Sequence, residues 1–418
     1  MSARPAVLLL CNYEPHLAQC VSDSIDAIVR APDLDVRVRS GHGDIPERVD
    51  LDRFDAILLH YSTFLTERRH IPPATRARLR SFGGAKLAML HDEHAHVRAT
   101  RGALAELGID VLLSCAPDGT RSFLYDVPEL EGLRTIRVAT GTITARLAGL
   151  VPTSMKERRW DVFYRGRRFP HWLGPSSRDR IEIAEQVGRA ASRHGWRTDL
   201  SVRESDRLYG DKWLSALMAT RCTLVTDSGA DMVALDDHDA PRELVEAPTL
   251  QRSPRVLEAA AAGCVLAGYE GAWSERLEPW RSFVPIERQD VELAPLADLL
   301  RSPDRLAEIA ANAREAVMGD PFLQEATLHR VLKDAVHATE KRRRVERTYP
   351  DEEWRRLVGD YARSNPDIRA RDQRRIAALG LYERTIDALP GSVARPTDAL
   401  VRRGWRSARA VKRAILSR

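Results

Sequence analysis

At 418 residues, 43% of them hydrophobic, the chain is long enough for more than one cored domain, and no apolar run approaches the ~20 residues of a membrane-spanning helix. Its five cysteines, Cys11, Cys20, Cys115, Cys222 and Cys264, are scattered and odd in number, which excludes a disulfide framework or metal-type spacing and points to a reducing cytoplasm. The net charge of +5 is uneven: from Lys341 to Arg418 there are 21 Lys/Arg against 10 Asp/Glu, a local +11 that leaves about −6 on the first 340 residues.

Residues 6–11 are too short an apolar run for a signal-peptide core and read as a first strand. Further short apolar strands are predicted over 35–39, 56–60, 85–90, 111–114 and 135–138. Between them, apolar residues recur at helical spacing over 15–30, 73–81 and 99–107. Such alternation predicts a parallel sheet covered on both faces, in a first domain of residues 1–150. Asn12-Tyr13-Glu14 ends the first strand without a glycine-rich turn, so no dinucleotide fingerprint is expected there. His60-Tyr61-Ser62 ends the third. After the fourth comes Leu90-His91-Asp92-Glu93-His94-Ala95-His96. Three readings stand for that cluster: an acceptor site in which His91 or Asp92 orients a hydroxyl, a metal site, or a polar strand-end loop. It is not a His-Glu-x-x-His motif, and no metal is assigned to it.

A linker over 149–159 leads into a second alternation. Strands are predicted at 161–165, 197–200, 223–226, 264–267 and 283–285, and helices at 178–193, 212–219, 254–262, 293–300 and 305–317. The fold class expected is α/β, with two Rossmann-like doubly wound domains facing across a cleft, the second over 160–334. Ligands of such folds bind at the carboxyl ends of the strands. A long helix over 322–344 follows, in a helical basic tail of residues 335–418.

Three stretches of the second domain carry candidate chemistry. Arg165-Gly166-Arg167 ends its first strand: glycine admits close backbone approach, and arginine forks match phosphate oxygens in pairs. Asp227-Ser228-Gly229 offers a turn with hydroxyl and backbone donors, or a plain connection. Ser253-Pro254-Arg255-Val256-Leu257-Glu258 opens a helix that runs through Ala259–Ala262 and stops at Gly263. A phosphate at that helix start and the carboxylate of Glu258 one turn in would fit a nucleotide diphosphate and its ribose.

The helix segment resembles the donor-binding motif Pro-x-x-x-Glu-Ala-x-Ala-x-Gly of GT-B glycosyltransferases. With the Tyr-Arg-Gly-Arg strand end, Arg207-Leu208-Tyr209-Gly210 and the Ser-Gly turn, the region from Trp160 to Asp334 resembles a bacterial glycosyltransferase group related to spore maturation proteins. The resemblance implies transfer of a hexose-type sugar from a nucleotide-sugar donor to a hydroxyl of a glycan or lipid-linked acceptor, in cell-surface glycan synthesis. It implies retention of configuration without a metal, and no cofactor beyond the nucleotide-diphosphate sugar as substrate. Glu258 would bind the ribose, and Arg165, Arg167, Arg255 and the turn at Gly166 would face the diphosphate. The chain departs from the pattern at Leu250, where many retaining relatives carry a second glutamate that contacts the sugar. A nucleotide-sugar epimerase of the same fold and a non-catalytic scaffold are the alternatives.

The terminal stretch 398–418 is amphipathic, with Trp405 among its apolar residues and Arg402, Arg406, Arg409 and Arg413 opposite. Such a helix suits an anionic membrane surface or docks on its own protein. No recognised motif or interleaved aromatics accompany the charge, so nucleic acid is not an expected partner.

Overall fold

The computed structural model describes residues 4–13, 18–40, 44–68, 70–237, 241–338 and 348–361. In the first domain, β1 (Ala6–Cys11), β2 (Asp35–Ser40), β3 (Ala56–Leu59), β4 (Ala85–Met89), β5 (Val111–Ser114) and β6 (Arg134–Arg137) form one parallel sheet, ordered β2-β1-β3-β4-β5-β6. Its strands β1 and β3 are apolar throughout because both faces are covered. Leu8, Leu10 and Ile57 point into one core and Val7, Leu9 and Leu58 into the other. The connecting helices are α1 (Gln19–Val29), α2 (Pro73–Ser81), α3 (Val97–Leu107) and α4 (Asp118–Tyr125), with the single turn α5 (Ala145–Ala148) leading out.

The second domain repeats the plan. Here β7 (Trp160–Arg165), β8 (Thr198–Ser201) and β9 (Thr220–Leu224) precede a hairpin of β10 (Met232–Ala234) and β11 (Leu244–Glu246), and β12 (Val265–Gly268) and β13 (Val284–Pro285) follow. The parallel sheet runs β13-β12-β9-β7-β8, flanked by α6 (Ser176–His194), α7 (Gly210–Met218), α8 (Pro254–Ala261), α9 (Ala294–Leu300) and α10 (Pro303–Met318). The linker hides a buried arginine: Arg158 donates to the carbonyls of Thr220 (2.5 Å) and Ala262 (2.9 Å), closing the C-terminal end of α8. Gly263 follows at φ 67°, where an added Cβ would lie 2.6 Å from Pro152.

Sequence patterning misses the antiparallel hairpin, which belongs to neither sheet. It reaches across to the first domain: Ala234 N–H donates to the His94 carbonyl (2.8 Å), and Val233 enters a first-domain core. The helix predicted over 322–344 begins later. Asp320 caps a single 3-10 turn at Pro321–Leu323, and α11 (Glu325–His337) follows. This helix crosses back, burying Leu328, Leu332, Ala335 and Val336 against the first sheet. The last described helix, α12 (Asp351–Val358), lies against the opposite face: Trp354 packs on Phe54 and its Nε1–H donates to the Val38 carbonyl at 2.9 Å. The amphipathic stretch 398–418 lies outside the described residues. Among the described residues, no helix is long and apolar enough to cross a membrane.

Candidate functional site

A cleft of about 280 Å³ opens between the domains, at the carboxyl ends of β7 and β9 and the N-terminal end of α8. Of the ten residues singled out in sequence, eight line it: His91, Asp92, Arg165, Arg167, Asp227, Ser228, Arg255 and Glu258. Gly166 and Gly229 stand behind the wall.

On α8, the Ser253 side chain accepts the Arg255 N–H at 3.3 Å, and Pro254 opens the first turn. The small run that follows, Ala259–Ala262, is fully buried and lets the helix lie on the sheet. Glu258 is the carboxylate of this helix and is 7% exposed. Its Oε2 accepts the Trp213 Nε1–H at 2.7 Å, so α7 fixes its rotamer. Burial pushes the Glu258 carboxyl up to about 7, against the Trp213 hydrogen bond and the charges of Arg146 and Arg255.

The arginines divide into two kinds. Arg165 spends all its N–H groups inside the protein. It makes a bidentate pair with Asp199 (2.7 and 2.8 Å) and donates to the carbonyls of Asp206 (2.9 Å), Tyr164 (3.0 Å) and Asp199 (3.0 Å). Nothing remains for a phosphate. Arg167, Arg180 and Arg255 differ: among the described residues, none has a carboxylate partner. Arg167 lies over the Phe169 ring at 4.4 Å. Arg255 donates to the Arg165 carbonyl. Arg180, on α6, was not singled out in sequence. It is 8% exposed, donates from Nη2 to the Asp227 carbonyl (2.7 Å), and its Nη1 is buried without a partner. Burial, then the nearby Arg255 and Arg167, lower its pKa. A buried cation left without a counter-charge is costly, and an anion in this cleft would offset that cost.

The glycine turns serve the wall itself. Gly166 N–H donates to the Ser201 carbonyl (2.8 Å), and a Cβ there would meet the Tyr164 ring at 2.7 Å. Glycine is needed at 166 for that ring, and its amide is already used. The Asp227 carboxylate accepts the Trp273 N–H at 2.6 Å and holds the loop that follows β12; burial pushes it up to about 6. The backbone of Ser228 exchanges hydrogen bonds with Gln251 (2.9 and 3.0 Å). Gly229, at φ 88°, lies so close to the segment before α8 that a Cβ would stand 2.2 Å from the Thr249 carbonyl oxygen.

The first-domain wall carries no arginine of this kind. His91 Nδ1 lies 3.4 Å from Asp92 Oδ1, and the His91 ring lies beside that of Tyr61 (5.0 Å). Burial works to lower the His91 pKa, but the Asp92 hydrogen bond and the charges of Asp92 and Glu93 carry it above its ordinary value. Desolvation works to raise Asp92, yet His91, His94 and Arg167 hold it well below the usual carboxylate range. Asp92 is also left-handed, at φ 53°, a conformation that costs an ordinary side chain energy. Glu93 turns inward and accepts from Ser114 Oγ (2.8 Å), Tyr125 Oη (2.5 Å) and the Cys115 and Ala116 amides (2.8 and 3.0 Å). The cluster is thereby split: Glu93 braces the loop while His91 and Asp92 face the cleft. His60 is buried between Ser62 (2.8 Å) and Ser24 (3.2 Å), with its pKa pushed by burial down to about 3. Among the described residues, no group of three or more His, Cys, Asp or Glu is placed to hold a metal ion. Leu250 lines a separate pocket, with Thr140, Arg252 and Asp320.

No protein-family profile matches the chain, and the curated proteins give no sequence match. Solved structures do match. An α-glucosyltransferase in complex with UDP-glucose and DNA containing an abasic site matches with a TM-score of 0.54 at 10% identity, over 80% of this chain and 100% of that one. Anabaena HepE in complex with UDP-glucose gives 0.47 at 12% identity, over 80% of this chain and 100% of HepE. TarM gives 0.45 at 9% identity over 70% of this chain, which spans 56% of TarM. At these identities the likeness is one of fold. The chain has the GT-B architecture, two Rossmann-like domains facing across a cleft.

Proposed function

We propose that this protein is a glycosyltransferase that moves a sugar from a nucleotide-diphosphate donor to a hydroxyl acceptor. The observation that carries the reading is the second-domain wall: Arg167, Arg180 and Arg255, cations without an ion-pair partner among the described residues, share one cleft with Glu258 one turn into α8. The α-glucosyltransferase of the same fold, in complex with UDP-glucose, supports a uridine nucleotide as the first donor to try.

In this reading the three guanidinium groups and the α8 N-terminus hold the diphosphate and meet the charge that grows on it as the glycosidic bond breaks. No metal is required for that role. Glu258, steadied by Trp213, accepts the ribose hydroxyls. Arg165 acts through position: by pinning β7 to β8 it fixes the carbonyl that Arg255 uses. Across the cleft His91 orients the acceptor hydroxyl, and Asp92 holds the imidazole through Nδ1. Retention of configuration, kinship with the spore-maturation-related group, a role in cell-surface glycan synthesis and a membrane contact through residues 398–418 are finer parts of the same proposal.

The test is thermal stability against a panel of nucleoside diphosphates and nucleotide sugars, with Glu258→Ala alongside. A ligand at 100 times its dissociation constant stabilises the native state by ~2.7 kcal/mol. One base family should raise the melting temperature, and the variant should abolish the rise. No rise with any nucleotide would remove the donor site.

A further inference from the structure

A second pocket, of about 200 Å³, opens inside the first domain between the loops that follow β3 and β4. His91 and Asp92 line both cavities, so a group held in the pocket meets the cleft at those two side chains. It is smaller than the cleft, about 200 Å³ against about 280 Å³, and its size suits a single ring.

The lining is amphipathic, and its charge is acidic: Asp92 and Glu93 share it with His91, His94 and His96. Tyr61 and Phe64 supply aromatic surface, and Phe64 is 56% exposed at the mouth. Two polar atoms at the wall have no hydrogen-bond partner: Oγ1 of Thr63, a residue 1% exposed, and Nδ1 of His94. Unpaired buried polar atoms are uncommon, and each is a place for a ligand hydroxyl. Among the described residues, no lysine or arginine lines the pocket. An anionic group there would face the Asp92 carboxylate and the buried Glu93, with imidazoles rather than guanidinium groups beside it, in contrast to the arginine wall of the cleft.

We propose that this pocket binds one uncharged pyranose ring of the acceptor, so that the acceptor is a neutral glycoside presenting a ring hydroxyl to His91. The direction of reaction rests on the sugar-transfer reading above; the binding of the ring does not. The C–H face of a pyranose suits the electron-rich faces of Tyr61 and Phe64, and its hydroxyls suit Thr63 and His94. A phosphate or carboxylate on the acceptor would have to lie outside the pocket.

The test uses the full chain and a panel of methyl hexopyranosides, set against hexose phosphates and methyl glucuronides. Binding is read by saturation-transfer NMR, with UDP binding read by thermal shift on the same samples. Neutral glycosides should bind and charged ones should not. Thr63→Val and Phe64→Ala should each weaken glycoside binding about fivefold or more, the equivalent of one lost neutral contact, and leave UDP binding unchanged. Thr63→Val removes a hydroxyl that has no partner, so the free protein should melt at the same temperature or higher. A lower melting temperature with unchanged glycoside binding would make Thr63 structural and overturn the proposal. So would tighter binding of the charged sugars. UDP binding with no glycoside binding would overturn it while leaving the donor site in place; glycoside binding with no nucleotide effect would do the reverse.

Discussion

Where β7 and β9 end, the second domain presents Arg167, Arg180 and Arg255, none of them in a direct ion pair among the described residues. Where β3 and β4 end, the first domain presents Tyr61, Thr63, His91, Asp92 and His94, and among the described residues no lysine or arginine lines its pocket. Both walls arise from one device, the loops at the carboxyl edge of a parallel sheet. The fold supplies the position and the residue types supply the chemistry. In the proposed reaction the arginine wall takes the anionic group and the opposite wall takes the acceptor hydroxyl.

The sharpest structural test is Gly229→Ala. The position requires a left-handed backbone at φ 88° and close contact with the backbone of Thr249. Strain from the left-handed backbone and a clash with a backbone oxygen together should cost ~3 kcal/mol or more of stability. Chemical denaturation should show this, and a neutral result would mean that the turn is not held as described. Next comes Arg180→Ala. Loss of a buried guanidinium from the anion wall should weaken nucleoside-diphosphate binding by ~3 kcal/mol, about 100-fold, while binding of the free nucleoside changes little. Calorimetry with UDP and uridine separates the two. Equal losses for both ligands would erase the contrast between the walls.

Much of this was legible in the chain because strands covered on both faces are written as continuous apolar runs, and the helices between them keep a 3.6-residue period. The site was legible in part. Glu258 was visible because it is the one carboxylate of a helix that is apolar apart from Arg255. Arg180 was not, because α6 carries several arginines and most face water. A signal existed: Arg180 falls on the buried stripe with Ile183, Val187 and Ala190, where a cation is out of place. Arg165 reads locally as a phosphate ligand because nothing nearby in sequence announces Asp199. That pairing exists only once β7 and β8 lie side by side. The hairpin β10/β11 was missed because strands of three residues carry too little alternation to register.

Glu258 offers a smaller effect with a defined pH window. Its ordinary pKa is 4.5 and burial pushes it up to about 7, so between those values the folded chain holds a proton that the unfolded chain has released. Its contribution to the stability of the free protein is therefore fully present below 4.5 and is lost as the pH rises through about 7. Ribose hydroxyls donate to the charged form, so nucleotide affinity should rise over the upper part of that window. Glu258→Gln should flatten both trends and weaken binding at pH 8 by ~2 kcal/mol, the scale of hydrogen bonds to a charged group. A pH profile that survives the substitution would assign the titration to another group, with Asp227 and His91 next in line.

Arg165→Ala should have the smallest effect on ligand and is the control for the arginine comparison. Its guanidinium is tied to Asp199 and three carbonyls, so removing it detaches β7 from β8 without taking a donor from the cleft. Asp199 keeps 34% of its side-chain exposure, and water can take over part of the bond. The expected cost is ~1–2 kcal/mol of stability. Diphosphate and nucleoside should lose affinity together and slightly, through Arg255, whose partner is the Arg165 carbonyl. A diphosphate-specific loss as large as that of Arg180→Ala would mean that Arg165 leaves Asp199 when ligand binds. The anion wall would then hold four cations rather than three, and the division drawn between paired and unpaired arginines would describe only the empty cleft.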